Sequence, residues 1–289
     1  MFTINSAQDL YLTYTLTNDQ KSQQLQVVPE RGGIVTSWVV DGKELFYLDK
    51  ERFTDPQLSV RGGIPVLFPI CGNLPDDAFS VGDRPYKLKQ HGFARDLPWA
   101  VVSQRTTTDQ ASLTVALTST ADTLAVYPFD FLVELEYIFT GDQLEILQRV
   151  TNQGTNGMMP FSIGYHPYFA ATDKPGLKVD IPSTHFQEKT GTPQPFSGNF
   201  DFGGGEIDVA LSNLSRPNAS VTEANGDKLT TSWNYSNGHV VFWAVPGKDF
   251  YCLEPWTGLR NAMNTGKDLI KLAPGETWRH SVTLKFEKG

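Results

Sequence analysis

Apolar and polar residues alternate along much of this chain with a period of two, the pattern of strands that bury one face. In DLYLTYTLT, Leu10, Leu12, Tyr14 and Leu16 share a face opposite Tyr11, Thr13, Thr15 and Thr17. In ASLTVALTST, Leu113, Val115 and Leu117 oppose Thr114 and Thr118. Phe131, Val133, Leu135, Tyr137 and Phe139 oppose Glu134 and Glu136, and near the end His280, Val282, Leu284 and Phe286 oppose Thr283, Lys285 and Glu287. Turn signals punctuate these runs at short intervals: VDGKE at 40–44, FTGDQ at 139–143, NQGTNG at 152–157, EANGDK at 223–228, NYSNGH at 234–239 and APGE at 273–276. They leave no room for long helices. The pattern predicts an all-β protein, a large antiparallel β-sandwich with its ligand on the concave face of one sheet. The 25 glycines and 18 prolines are scattered rather than gathered in a linker, so residues 1–289 read as a single domain.

Composition narrows the classes of function. The 289 residues are 39% hydrophobic and 19% charged, enough for a large core and too little charge for a disordered tail. A net charge of −8 argues against a nucleic-acid partner and against anionic membrane surfaces. The opening MFTINSAQDLYLTYTL has neither a basic start nor an unbroken apolar stretch, and no run reaches the ~18 apolar residues of a membrane span. The expectation is a soluble, cytoplasmic protein. Cys71 and Cys252 stand far apart without a C-x-x-C spacing, which predicts two free, buried thiols and no zinc motif. Nothing in the chain specifies an oligomeric state.

Two stretches place a titratable group in apolar company. SIGYHPYF sets His166 among aromatics, and DFYCLEPWTG sets Glu254 on a strand face with Phe250, Cys252 and Trp256, after an apolar run HVVFWAVPG and a turn at Pro246–Asp249. Taken alone, His166 reads as a core histidine satisfied by backbone, and Glu254 as half of a structural ion pair. Together they share a device, His166-Pro167 and Glu254-Pro255, in which the proline fixes the backbone of the residue before it. A histidine acid and a glutamate base locked at a sheet rim form a pair suited to moving one proton on and another off a small molecule.

SVRGGIPVLFPICGNLP carries Arg61 ahead of two glycines, and KQHGFARDLPW packs His91, Arg95 and Asp96 into six residues. Either the arginines have carboxylate partners, such as Asp96 for Arg95, or they converge on an anion that arrives with the substrate. Neither segment has the glycine spacing of a nucleotide-binding loop. Asp208 in GGEIDVALSNL reads on its own as a turn former. His185, His239 and His280 are left as surface or core residues.

RGGIPVLFP, QHGFARDLPW, YHPYF and LEPW, in that order, resemble the aldose 1-epimerase or galactose mutarotase superfamily, and more narrowly the glucose-6-phosphate 1-epimerase branch. The resemblance runs from about residue 25 to the C-terminus. It implies the galactose mutarotase-like supersandwich and an acid-base interconversion of α and β sugar anomers, with no metal or organic cofactor. It assigns His166 and Glu254 as catalytic, places His91 near the anomeric centre, associates Arg61 and Arg95 with a sugar phosphate, and gives Asp208 to sugar hydroxyls. Trp256 would supply an apolar surface under the ring. One departure is the polar segment WTGLRNAMNTG after Glu254, which is similar to that of relatives whose substrate is unphosphorylated or unknown. The four motifs nonetheless make a hexose 6-phosphate the expected substrate, the alternatives being a free aldose or a non-catalytic carbohydrate-binding sandwich.

Overall fold

In the computed structural model, which describes residues 1–289 throughout, strands dominate and α-helix is confined to Lys50–Thr54, Ala121–Val126 and Ala262–Thr265. The alternation read from the sequence is clearest in Phe131–Phe139 and Gln143–Asn152, where buried and half-buried residues strictly alternate along the paired strands. Thr140 to Asp142 turn the chain between them, with Gly141 at a φ of 98° that suits glycine. Asp41-Gly42, both at positive φ, close the hairpin between Ile34–Val40 and Lys43–Glu44.

The ladders between strands are antiparallel and build three main sheets. A five-stranded sheet takes the chain in order from Phe2–Gln8 to Lys43–Glu44. The first eight-stranded sheet has Thr277–Glu287 and Gln143–Asn152 at its centre, flanked by Lys228–Trp233 and Phe131–Phe139. The second has Phe250–Trp256 at its centre, between His239–Ala244 on one side and the short strands Gly164–Tyr165 and Tyr168–Ala170 on the other. Their apolar faces meet in one cluster of 57 buried residues that runs from Phe2 to Phe286. At about 25 cal/mol per Å² of apolar area, such burial is the main term holding the sheets together.

The structure departs from the simple alternation in two places. Leu10 lies outside the second strand, which spans Leu12–Asn18, and is 54% exposed. Ala111–Thr118 buries both of its faces, including Ser112 and Thr114, because the N-terminal strands Phe2–Gln8 and Leu12–Asn18 come against its outer side. No helix is long and apolar enough to cross a membrane. Cys71 and Cys252 are free and buried.

Candidate active site

Glu254 is the fifth residue of the seven-residue strand Phe250–Trp256, opposite Val241 in the neighbouring strand, and is 1% exposed. It therefore stands in the interior of the second sheet and not at the rim the prolines suggested. On its other side the neighbouring strand is interrupted. Gly164 pairs with Trp256 and Tyr168 pairs with Cys252, so residues 253–255 face the break at 165–167. Pro255, which has no N–H to give, falls beside that interruption. His166 occupies it, its backbone N–H donating to the Pro65 carbonyl at 3.0 Å.

Across the break His166 Nε2 approaches Glu254 Oε1 to 3.4 Å. Glu254 Oε2 accepts from Trp256 Nε1 at 3.2 Å. The imidazole stacks on Tyr168 with centroids 4.7 Å apart and 13° between planes, and meets the Trp243 ring edge-on. Burial acts on the two partners in opposite senses. It holds the Glu254 carboxyl well above its ordinary value, aided by nearby Asp208 and opposed by Arg260, Trp256 and Arg95. It pushes the His166 imidazole down to about 3, with Arg95 adding to the effect. Each group on its own thus favours its neutral form, and the pair holds a single proton.

His91 completes this floor. Its backbone sits at a positive φ of 67°, and its Nδ1 accepts from the Gly72 N–H at 3.0 Å. Burial, reinforced by Arg95 and His166, holds its pKa well below the ordinary value. The ring is thus neutral with its proton on Nε2, as assigned from that hydrogen bond. His91 meets His166 and Trp256 edge-to-face at 5.7 and 5.6 Å.

A cavity of about 330 Å³ opens above these groups, in the range of small-ligand sites. All seven residues singled out by sequence line it: His166, Glu254, His91, Arg61, Arg95, Asp208 and Trp256. Sequence reasoning missed Arg52, Lys189 and Arg260, which line it as well. Asp208 is the second residue of strand Ile207–Leu211 and no mere turn former. Its two oxygens accept from Arg260 Nη2 and Lys189 Nζ. Arg95 makes no ion pair with Asp96; its Nη2 donates to the Gln90 carbonyl at 3.0 Å and its buried Nε has no partner. Arg61 is exposed at the cavity mouth, and no carboxylate lies within 4.0 Å of Arg52, Arg61 or Arg95. The cavity wall is strongly cationic in a chain of net charge −8.

The fold also gathers a cluster that the sequence spacing did not suggest: one donor atom each from His166, Cys252 and Glu254 lies within 4.8 Å of the others. These donors fit a metal ion poorly. Burial and the neighbouring Glu254 raise the Cys252 thiol well above its ordinary value, opposing the thiolate a metal needs, and the surrounding guanidiniums repel a cation.

Over the whole length of both chains the structure is similar to that of the Slr1438 protein from Synechocystis sp. PCC 6803, with 43% identity and a TM-score of 0.94. A galactose mutarotase-like protein from Clostridium acetobutylicum shares the fold, with a TM-score of 0.83 over 100% of this chain and 99% of that one at 20% identity. In sequence the chain is 25% identical over 279 residues to a Cenchrus ciliaris protein provisionally named glucose-6-phosphate 1-epimerase, covering 88% of this chain and 78% of the relative. The family model described as aldose 1-epimerase matches residues 12–285, nearly the entire chain. The protein belongs to the aldose 1-epimerase family and is an enzyme of the isomerase type.

Proposed function

We propose that the protein interconverts the α and β anomers of a hexose 6-phosphate by acid-base ring opening, with His166 and Glu254 as the proton-transfer pair. The observation that carries this reading is the His166–Glu254 pair, 3.4 Å apart, at the floor of a cavity whose wall bears three arginines without carboxylate partners. The proton of the pair can rest on either member. With it on His166, Glu254 takes the proton of the anomeric hydroxyl while the C1–O5 bond breaks, and the ring oxygen receives the proton from His166. The open-chain aldehyde is then bound beside the neutral pair that burial favours. Rotation about C1–C2 and the reverse transfers give the other anomer. The Nε2–H of His91 would donate to the oxygen that becomes the carbonyl. Arg61 and Arg95 would receive the phosphate, for which a guanidinium fork is well shaped. Asp208 would meet sugar hydroxyls only while also held by Arg260 and Lys189. Trp256, whose indole is fixed by Glu254, would lie against the ring.

Exchange NMR between anomers, run with a chelator present on glucose 6-phosphate, glucose and galactose, tests the reading. The expected outcome is the largest rate enhancement on glucose 6-phosphate and a loss of at least ~10²-fold in a folded Glu254→Gln variant. Binding without any enhancement would mark a carbohydrate-binding sandwich. A preference for unphosphorylated sugar would assign the arginines to hydroxyls or to structure.

A further inference from the structure

Arg31 is a buried arginine outside the cavity lining, 5% exposed, with no carboxylate in salt-bridge range. Its guanidinium is spent on backbone carbonyls of one short stretch. Nε donates to Phe53 at 3.2 Å, and Nη2 donates to Asp55 at 2.9 Å, to Arg52 at 3.4 Å and to Leu58. A cation taken out of water is costly unless its donors are satisfied, and here the carbonyls of residues 52–58 satisfy it. Those carbonyls in turn include the last of the helix Lys50–Thr54, which want a cation. Movement of the loop would strand the buried guanidinium. It leads directly into Ser59, Val60 and Arg61 on the cavity wall. Arg52 is stapled within the same loop: Asp49 caps its N–H, and its Nε donates to the Ser59 carbonyl at 3.0 Å, leaving the Nη fork for the cavity.

The residue after Arg31 serves the other arginine-bearing segment. Gly32, at a φ of 86°, lies so close to the Arg95 backbone that a Cβ there would come within 2.1 Å of its carbonyl oxygen. Trp99, at the end of that segment, donates its backbone N–H to the Pro29 carbonyl at 3.0 Å. One five-residue turn, PERGG at 29–33, therefore abuts both segments that deliver the unpaired arginines.

We propose that this turn sets the anion-binding end of the cavity, with Arg31 as its positioning residue, and that Arg52 is a specificity-determining guanidinium there beside Arg61 and Arg95. The inference rests on the reading of a phosphorylated substrate. A lysine at position 31 would keep the charge but lose the planar fan of donors that spans four carbonyls.

The test is anomer exchange on glucose 6-phosphate and glucose, together with calorimetric titration of inorganic phosphate, on the full chain carrying Arg31→Lys or Arg52→Gln. For each variant KM for glucose 6-phosphate should rise and phosphate affinity fall by about tenfold, a loss several times greater than any on glucose, since roughly one charge-assisted contact is lost or misaimed. Should Arg31→Lys not fold, the half-exposed Arg52→Gln variant carries the test. Unchanged phosphate affinity in the folded variants, or equal losses on both sugars, would overturn the inference alone. A wild-type protein that neither binds phosphate nor prefers the phosphorylated sugar would overturn the substrate reading, and this inference with it.

Discussion

The imidazole of His166, pushed down to about 3 by burial, stays unprotonated where a free histidine near 6.5 would charge. Glu254, raised by the same burial, keeps its proton above the ordinary carboxylate range. The pair therefore carries one proton from well below pH 6.5 up to the raised value of Glu254, and the acid limb of kcat should be displaced far below 6.5. An inflection near 6.5 in kcat, which is insensitive to ionisation of the free phosphosugar, would contradict this assignment. Linkage gives the companion statement for stability. The unfolded chain takes up a proton at His166 below about pH 6.5 that the folded chain refuses until about 3, so folding loses up to roughly 1.4 kcal/mol per pH unit on descending through that window. In His166→Asn this contribution disappears. At this scale the sequence was informative wherever proline and aromatic neighbours marked a residue. It was silent on Arg260 and Lys189, whose importance comes from Asp208, a partner 52 positions from Arg260 that only the fold brings near. The one signal available was a lone arginine in the loop that follows the Glu254 strand.

Among the elements, the short strand Gly164–Tyr165 does most to hold the acid-base pair in register, because it ends where His166 begins and packs against Trp256. A Cβ at Gly164 would lie 2.7 Å from Trp256 Cδ1 and 3.0 Å from Cys71 Sγ. Gly164→Ala should therefore push the indole off its bond to Glu254. The expected result is a destabilisation of about 1–3 kcal/mol, typical of overpacking, with a fall in kcat of tenfold or more at temperatures where the variant is still folded. Thermal melting beside exchange kinetics would check it, and unaltered kcat would show that the Trp256 contact is dispensable. Long amphipathic strands such as Phe131–Phe139 were legible because a single buried face dictates every second residue. Glu254's strand was legible as a strand but misplaced within its sheet. Proline reads as an edge marker, and only the break at 165–167 in the neighbouring strand makes it tolerable in the centre. The burial of Ala111–Thr118 on both faces depends on strands a hundred residues away, which no local pattern encodes.

For the molecule as a whole, the contrast of charge is the governing feature: an acidic chain concentrates arginines around one cavity. At physiological salt, fields are screened beyond about 8 Å, so raising ionic strength should increase KM for a phosphosugar while leaving a neutral aldose nearly unaffected. Initial exchange rates at 0.05 and 0.5 M sodium chloride would measure this, and parallel changes for both sugars would count against the cationic wall as an anion receptor. The sandwich architecture and the presence of a sugar-sized site were readable from alternation and from four short motifs. The internal scaffolding by Arg31 was not, since a buried cation bonded to carbonyls leaves no pattern in a sequence. Finally, two of the six tryptophans, Trp243 and Trp256, stand in the cavity wall, with their indole nitrogens bound to Glu206 and Glu254. The enzyme thus contains its own optical gauge. Occupation of the cavity would change the surroundings of indoles tied to two of its carboxylates, so intrinsic fluorescence should follow ligand capture without a label.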